Sequence, residues 1–132
     1  MARRLHETGY LISALFDLDR NSAQTVASEV GGRACERLRD VTDLADVVIT
    51  VVTDDTAMQR IFSQSGDSLL EASRGKLFIN CATVSPQTHV EVETRVNAQG
   101  GQSLEACMAS SIPQARNGTL YLMVAGDPTA FD

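Results

Sequence analysis

Apolar and polar positions along this chain switch repeatedly between a strand-like and a helix-like period. Residues 11–16 form a short apolar run that stops at Asp17, the length of a buried strand. Ala23, Val26, Ala27 and Val30 then recur at i, i+3, i+4 and i+7, behind a capping-box-like Asn21-Ser22-Ala23-Gln24 and ahead of Gly31-Gly32. That spacing predicts a helix. Residues 47–52 are β-branched throughout, as suits a parallel strand covered on both faces. Asp54 or Asp55 suits the cap of the next helix, which presents Ala57, Met58, Ile61 and Phe62 on one face. A second helical piece is expected at 68–72, followed by a strand at 77–80. Ser85 and Pro86 fit the cap and first position of a helix that turns Val92 and Val96 inward and stops at Gly100. The last strands are read at 103–106 and 120–125.

The remaining segments are weaker signals. Met1, Ala2 and Leu5 share one face of a short opening helix that Gly9 closes. Residues 33–35 suit a short strand, 41–44 a single helical turn, and Asp127 with Pro128 opens a final turn. Strands alternating with helices of this length predict an α/β fold, a parallel sheet with right-handed crossovers and helices on both faces. No linker, repeat or low-complexity tract divides the chain, so residues 1–132 read as one domain.

Composition narrows the function classes. The apolar fraction of 43% argues against disorder, and the formal charge of −6 disfavours nucleic acid and anionic membrane as partners. No stretch is long enough to span a bilayer, and no apolar run follows Arg3-Arg4 as a signal peptide would require. The three cysteines, Cys35, Cys81 and Cys107, are far apart and show no Cys-x-x-Cys pair. They read as reduced thiols of a cytoplasmic protein, with neither a disulfide frame nor a metal site.

In a parallel α/β sheet ligands sit beyond the carboxyl ends of the strands. Asp17 stands at such an end, where a carboxylate can bind both ribose hydroxyls of a dinucleotide and repel a 2′-phosphate. A purely structural role as a helix cap suits Asp19 or Asn21 better. Arg20 could meet a phosphate or remain solvated. Thr53 follows the strongest strand; the valines before it are explained by core packing alone. Thr83 precedes the Ser85-Pro86 helix start, where a hydroxyl and helix amides suit a nicotinamide ribose or a substrate carboxylate, or merely cap the helix.

Three blocks together carry a resemblance: Asn80-Cys81-Ala82-Thr83-Val84-Ser85-Pro86, Glu105-Ala106-Cys107-Met108-Ala109-Ser110-Ser111, and Ala115-Arg116-Asn117-Gly118-Thr119-Leu120. Their order and spacing resemble the NAD(P)-binding domain of the β-hydroxyacid dehydrogenase and 6-phosphogluconate dehydrogenase family, 3-hydroxyisobutyrate dehydrogenase-like. Thr83 and Pro86 match the family pattern Asp-x-Ser-Thr-x-x-Pro, with Asn80 and Ala82 replacing its aspartate and serine. Ala106, Ala115, Gly118, Thr119 and Leu120 match the later block, and Ala109-Ser110-Ser111 stands where the family has Ser-Gly-Gly.

The resemblance implies a Rossmann-like sheet, with Asp17, Thr53 and Thr83 as cofactor contacts and Thr83, Ser110 and Ser111 as substrate contacts. It also implies a chain truncated at both ends, since the family's first strand, its Gly-x-Gly-x-x-Gly loop and its catalytic lysine are not matched. On that basis no catalytic residue is assigned. The expected cofactor is NAD or NADP, with NAD favoured through Asp17, held weakly or not at all. The expected function is that of an NAD(P)-dependent oxidoreductase by descent, acting in the parent family on a small hydroxyacid or semialdehyde and inactive as this chain alone. The alternative is a non-catalytic α/β module that binds a ligand or a protein. Loss of a central strand would leave open sheet edges, from which a homodimer is expected.

Overall fold

The computed structural model describes residues 1–131. In chain order the elements are α1 (Ala2–Glu7), β1 (Ala14–Leu15), α2 (Arg20–Val30), β2 (Arg33–Ala34), α3 (Leu38–Leu44), β3 (Val47–Thr50) and α4 (Asp55–Ile61). These are followed by β4 (Leu77–Asn80), α5 (Pro86–Ala98), β5 (Gln102–Met108), α6 (Ile112–Asn117), β6 (Leu122–Gly126) and a 3-10 turn over Pro128–Ala130. The strands fall into two sheets. One is the parallel pair β1–β2; the other is ordered β3-β4-β5-β6.

Local chemistry places the helices. Asp19 caps α2, its carboxylate accepting from Asn21 N at 3.0 Å and from Ser22 Oγ at 2.7 Å, so α2 begins one residue before the Asn21 start read from sequence. Gly31 closes it at φ 73°, a left-handed conformation that glycine adopts without a Cβ penalty. Asp54, not Asp55, caps α4 by accepting from Ala57 N at 2.8 Å. Ser85 caps α5, with Pro86 in its first turn as expected.

β3, β4 and β5 run parallel in register, Val48 beside Phe78 and Phe78 beside Ser103. The core lies against this sheet and joins Leu38, Val48, Met58, Phe62, Leu69, Leu70, Phe78, Ala82, Val92 and Val96. Phe62 and Phe78 meet edge to face at a centroid distance of 5.4 Å. Across the same sheet runs a buried polar rail: Thr50 Oγ1 donates to Asn80 Oδ1 at 2.7 Å, and Asn80 Nδ2 donates to Ser103 Oγ at 2.9 Å. Asn80→Ala strands two buried hydroxyls, so urea denaturation of that variant should show a loss of about 1–3 kcal/mol. An unchanged midpoint would mean that water satisfies both groups.

Three expectations are corrected, and one helix is added. The strand read over 11–16 pairs only at Ala14–Leu15, because β2 provides a ladder on one side while the other edge has no partner among the described residues; Leu11 is 87% exposed. Residues 68–72 form turns and not a helix. Ser68 Oγ accepts from Leu70 N at 3.1 Å and donates to Ile61 O at 3.2 Å, and Ala72 adopts φ 60°, which ends any helical path. A helix to which the sequence reading assigned nothing, α6, occupies Ile112–Asn117; its capping box, Ser111 with Gln114, and its stop at Gly118 are present in the sequence.

The third correction concerns β6, which runs antiparallel to β5, so the sheet is mixed. α6 spans about 9 Å, whereas β5 spans about 23 Å. The connection is too short to carry the chain back for a parallel return. Ala109 N instead donates to Tyr121 O at 3.0 Å and the chain doubles back.

Candidate functional site

The carboxyl ends of β1, β3, β4 and β5 lead into loops that hold every site residue read from sequence. Asp17 follows β1 and is exposed; its Oδ1 accepts from Asp19 N at 2.8 Å, an Asx-turn that leaves the second oxygen free. Thr53 follows β3, is exposed, and donates to Asp54 Oδ2 at 3.1 Å. Thr83 follows β4, exposed, and its hydroxyl has no hydrogen bond among the described residues. Helix capping therefore belongs to Ser85, not to Thr83. Ser110 Oγ accepts from Tyr121 N at 3.0 Å and anchors the turn into β6, while Ser111 bonds Gln114 in the α6 capping box. Both hydroxyls thus have local structural roles. Arg20 pairs with Glu36 at 3.3 Å on the surface.

Asp55 ties the starts of α4 and α5 together. Its Oδ1 accepts from Ser85 N at 3.0 Å and from Ser85 Oγ and Thr88 Oγ1 at 2.5 Å each. These bonds, led by the Ser85 hydroxyl and then the Thr88 hydroxyl, lower its pKa from 3.8 to about 2. A folded-state pKa below the unfolded value means a contribution present above about pH 3.8 and lost as pH falls through about 2. Wild type should therefore lose more stability than Asp55→Asn between about pH 5 and about pH 2, read as the shift of urea midpoint. Equal shifts would remove Asp55 from the acid response.

Sequence reasoning passed over a second group of residues. His89 on α5 and Cys107 on β5 are each 7% exposed, and Glu105 lies two residues before Cys107. Cys107 Sγ donates to Glu105 Oε1 at 3.3 Å and stands 3.7 Å from His89 Nε2. Burial raises the pKa of Cys107, and hydrogen bonding and charge at Glu105 raise it further; burial and then Cys107 raise that of Cys81. Neither thiol is poised as a free nucleophile. The only lysine, Lys76, pairs with Asp46 at 3.1 Å at the amino end of β4, away from the loops at the carboxyl ends.

The parallel strands β3, β4 and β5, with capped helices between them and polar loops beyond their carboxyl ends, have the architecture of a Rossmann-type dinucleotide-binding domain. Comparison with known proteins makes this specific. The chain belongs to the family described as the NAD binding domain of 6-phosphogluconate dehydrogenase, matched over residues 1–132. It is 27% identical to an NAD-dependent L-serine dehydrogenase of Pseudomonas aeruginosa, over 100% of this chain and 44% of that protein. It is 26% identical to the mitochondrial 3-hydroxyisobutyrate dehydrogenase of Rattus norvegicus, over 99% of this chain and 38% of the relative. The structure superposes on Mycobacterium tuberculosis 3-hydroxyisobutyrate dehydrogenase, solved with L-serine, at TM-score 0.86 and 25% identity, covering 98% of this chain and 43% of that one. The chain spans less than half the length of these relatives. No helix among the described residues is long and apolar enough to cross a membrane.

Proposed function

We propose that this chain is the dinucleotide-binding part of an NAD(P)-dependent oxidoreductase whose substrates are small hydroxyacids or semialdehydes. The observation that carries this reading is the position of Asp17, Thr53 and Thr83, each exposed on a loop at the carboxyl end of a strand, after β1, β3 and β4. Thr83 has its hydroxyl free for a nicotinamide ribose or a substrate carboxylate. Asp17 keeps one carboxylate oxygen free, which supports NAD over NADP because a 2′-phosphate would meet a like charge. Ser110 and Ser111 offer substrate contacts only if a ligand competes with Tyr121 N and Gln114.

Reduction of a carbonyl needs a proton donor beside it as well as a hydride. Lys76 lies at the opposite end of its strand, so the chain alone should show no NADH or NADPH oxidation with small semialdehydes or 2-ketoacids. The check is the absorbance of reduced cofactor over time with a panel of both substrate classes. Turnover by purified chain, abolished by Thr83→Val, would overturn the expectation of inactivity and establish the site.

A second reading, a non-catalytic module that pairs with protein, is favoured by the open edge of β3. Val47 and Ile49 are 49% and 38% exposed there, and β3 and β1 do not pair. An apolar edge with unpaired amides is a template for another strand. We propose a homodimer as its occupant in solution. Sedimentation should give a dimer at high concentration; a monomer throughout would exclude it.

A further inference from the structure

We propose that His89, Glu105 and Cys107 form a binding site for a zinc-class divalent cation. β5 alternates its side chains between faces, so Glu105 and Cys107 project to the same side. The first turns of α5 lay His89 over them. One nitrogen, one oxygen and one sulfur thereby gather within 4.8 Å of one another.

The edges of this triangle fit a metal's first shell. His89 Nε2 and Cys107 Sγ are 3.7 Å apart, His89 Nε2 and Glu105 Oε1 3.9 Å, and Cys107 Sγ and Glu105 Oε1 3.3 Å. Ligands at zinc distances in a tetrahedron stand about 3.4–3.6 Å from one another. Each edge of the triangle lies within a few tenths of an ångström of that range.

Charge argues the same way. Binding breaks the Cys107 S–H bond, forms a metal–sulfur bond and releases the proton to solvent. A dication, a thiolate, a carboxylate and a neutral imidazole then sum to zero, the balance a buried site requires. A thiolate and an imidazole also select zinc over magnesium or calcium, which prefer oxygen. The Glu105 side chain, 34% exposed, marks the route from solvent. Three protein ligands leave a fourth position for water or a ligand oxygen, the pattern of an open zinc site. The separation of 18 positions between His89 and Cys107 conceals the site from any reading of motif spacing.

Cobalt(II) is the probe, added to chelator-treated full chain. The expected result is saturation at one equivalent, with visible absorption of a tetrahedral site, a near-ultraviolet thiolate-to-cobalt band, and displacement by zinc. Cys107→Ser should remove the thiolate band, and His89→Gln should weaken binding by about 10–100-fold or more, the loss expected even for an outer-shell partner. Cys81→Ser should keep both signals, since Cys81 is not in the triangle. Circular dichroism guards against misfolding. Should the variants not fold, zinc protection of Cys107 from alkylation in wild type, read by mass spectrometry, decides instead. No stoichiometric cobalt or zinc binding by folded wild type, or a band that survives Cys107→Ser, would overturn the site.

Discussion

Phe78→Ala should lower the unfolding free energy by about 3–5 kcal/mol. Phe78 is 0% exposed and sits on β4, which has β3 on one side and β5 on the other. Its ring meets Phe62, also 0% exposed, edge to face. Truncation removes the ring from the cluster and leaves a cavity that two paired strands cannot close by moving together. Domains have about 5–15 kcal/mol of stability in all, so the loss would unfold a substantial fraction of the protein under mild conditions. Phe78→Leu fills most of the space and should cost less than half as much. Urea denaturation with both variants is the measurement. A loss below about 1 kcal/mol for Phe78→Ala would place the core elsewhere.

NAD should bind this chain with a dissociation constant above about 1 mM, equivalent to roughly −4 kcal/mol. Tight dinucleotide binding relies on backbone amides of a glycine loop at a helix start, which cradle the pyrophosphate. The 132 residues hold no Gly-x-Gly-x-x-Gly. Of the three proposed contacts, Asp17 already serves an Asx-turn through one oxygen and Thr53 donates to Asp54, leaving Thr83 as the one unengaged hydroxyl. The net charge of −6 further opposes an anionic ligand. Calorimetry at high cofactor concentration measures the constant, with NADP weaker than NAD and the difference reduced in Asp17→Ala. Micromolar affinity would show that other amides form a cradle.

The sequence alone determined which segments could become helices or strands, and where most of them stop. The Ser85-Pro86 start and the Gly31 stop express near-neighbour energetics and became the boundaries their residues favour, while the β-branched run at 47–52 became a strand only over Val47–Thr50 and, against expectation, is covered on one face alone, with Val47 and Ile49 exposed. Ser111 and Gln114 carried the same kind of signal for α6. Family membership was legible for a related reason: matching residues at fixed spacings need no knowledge of contacts. Tertiary structure decided what depends on partners distant in the chain. Pairing on one side alone reduced 11–16 to a two-residue ladder, the short reach of α6 reversed β6, and the Ser68 hydroxyl diverted 68–72 into turns. Folding also brought His89 against Glu105 and Cys107. Periodicity reports which face of an element is apolar, but it does not say which element that face will meet. Meeting is settled by sheet register and helix packing, whose energies exist only once the chain has closed on itself.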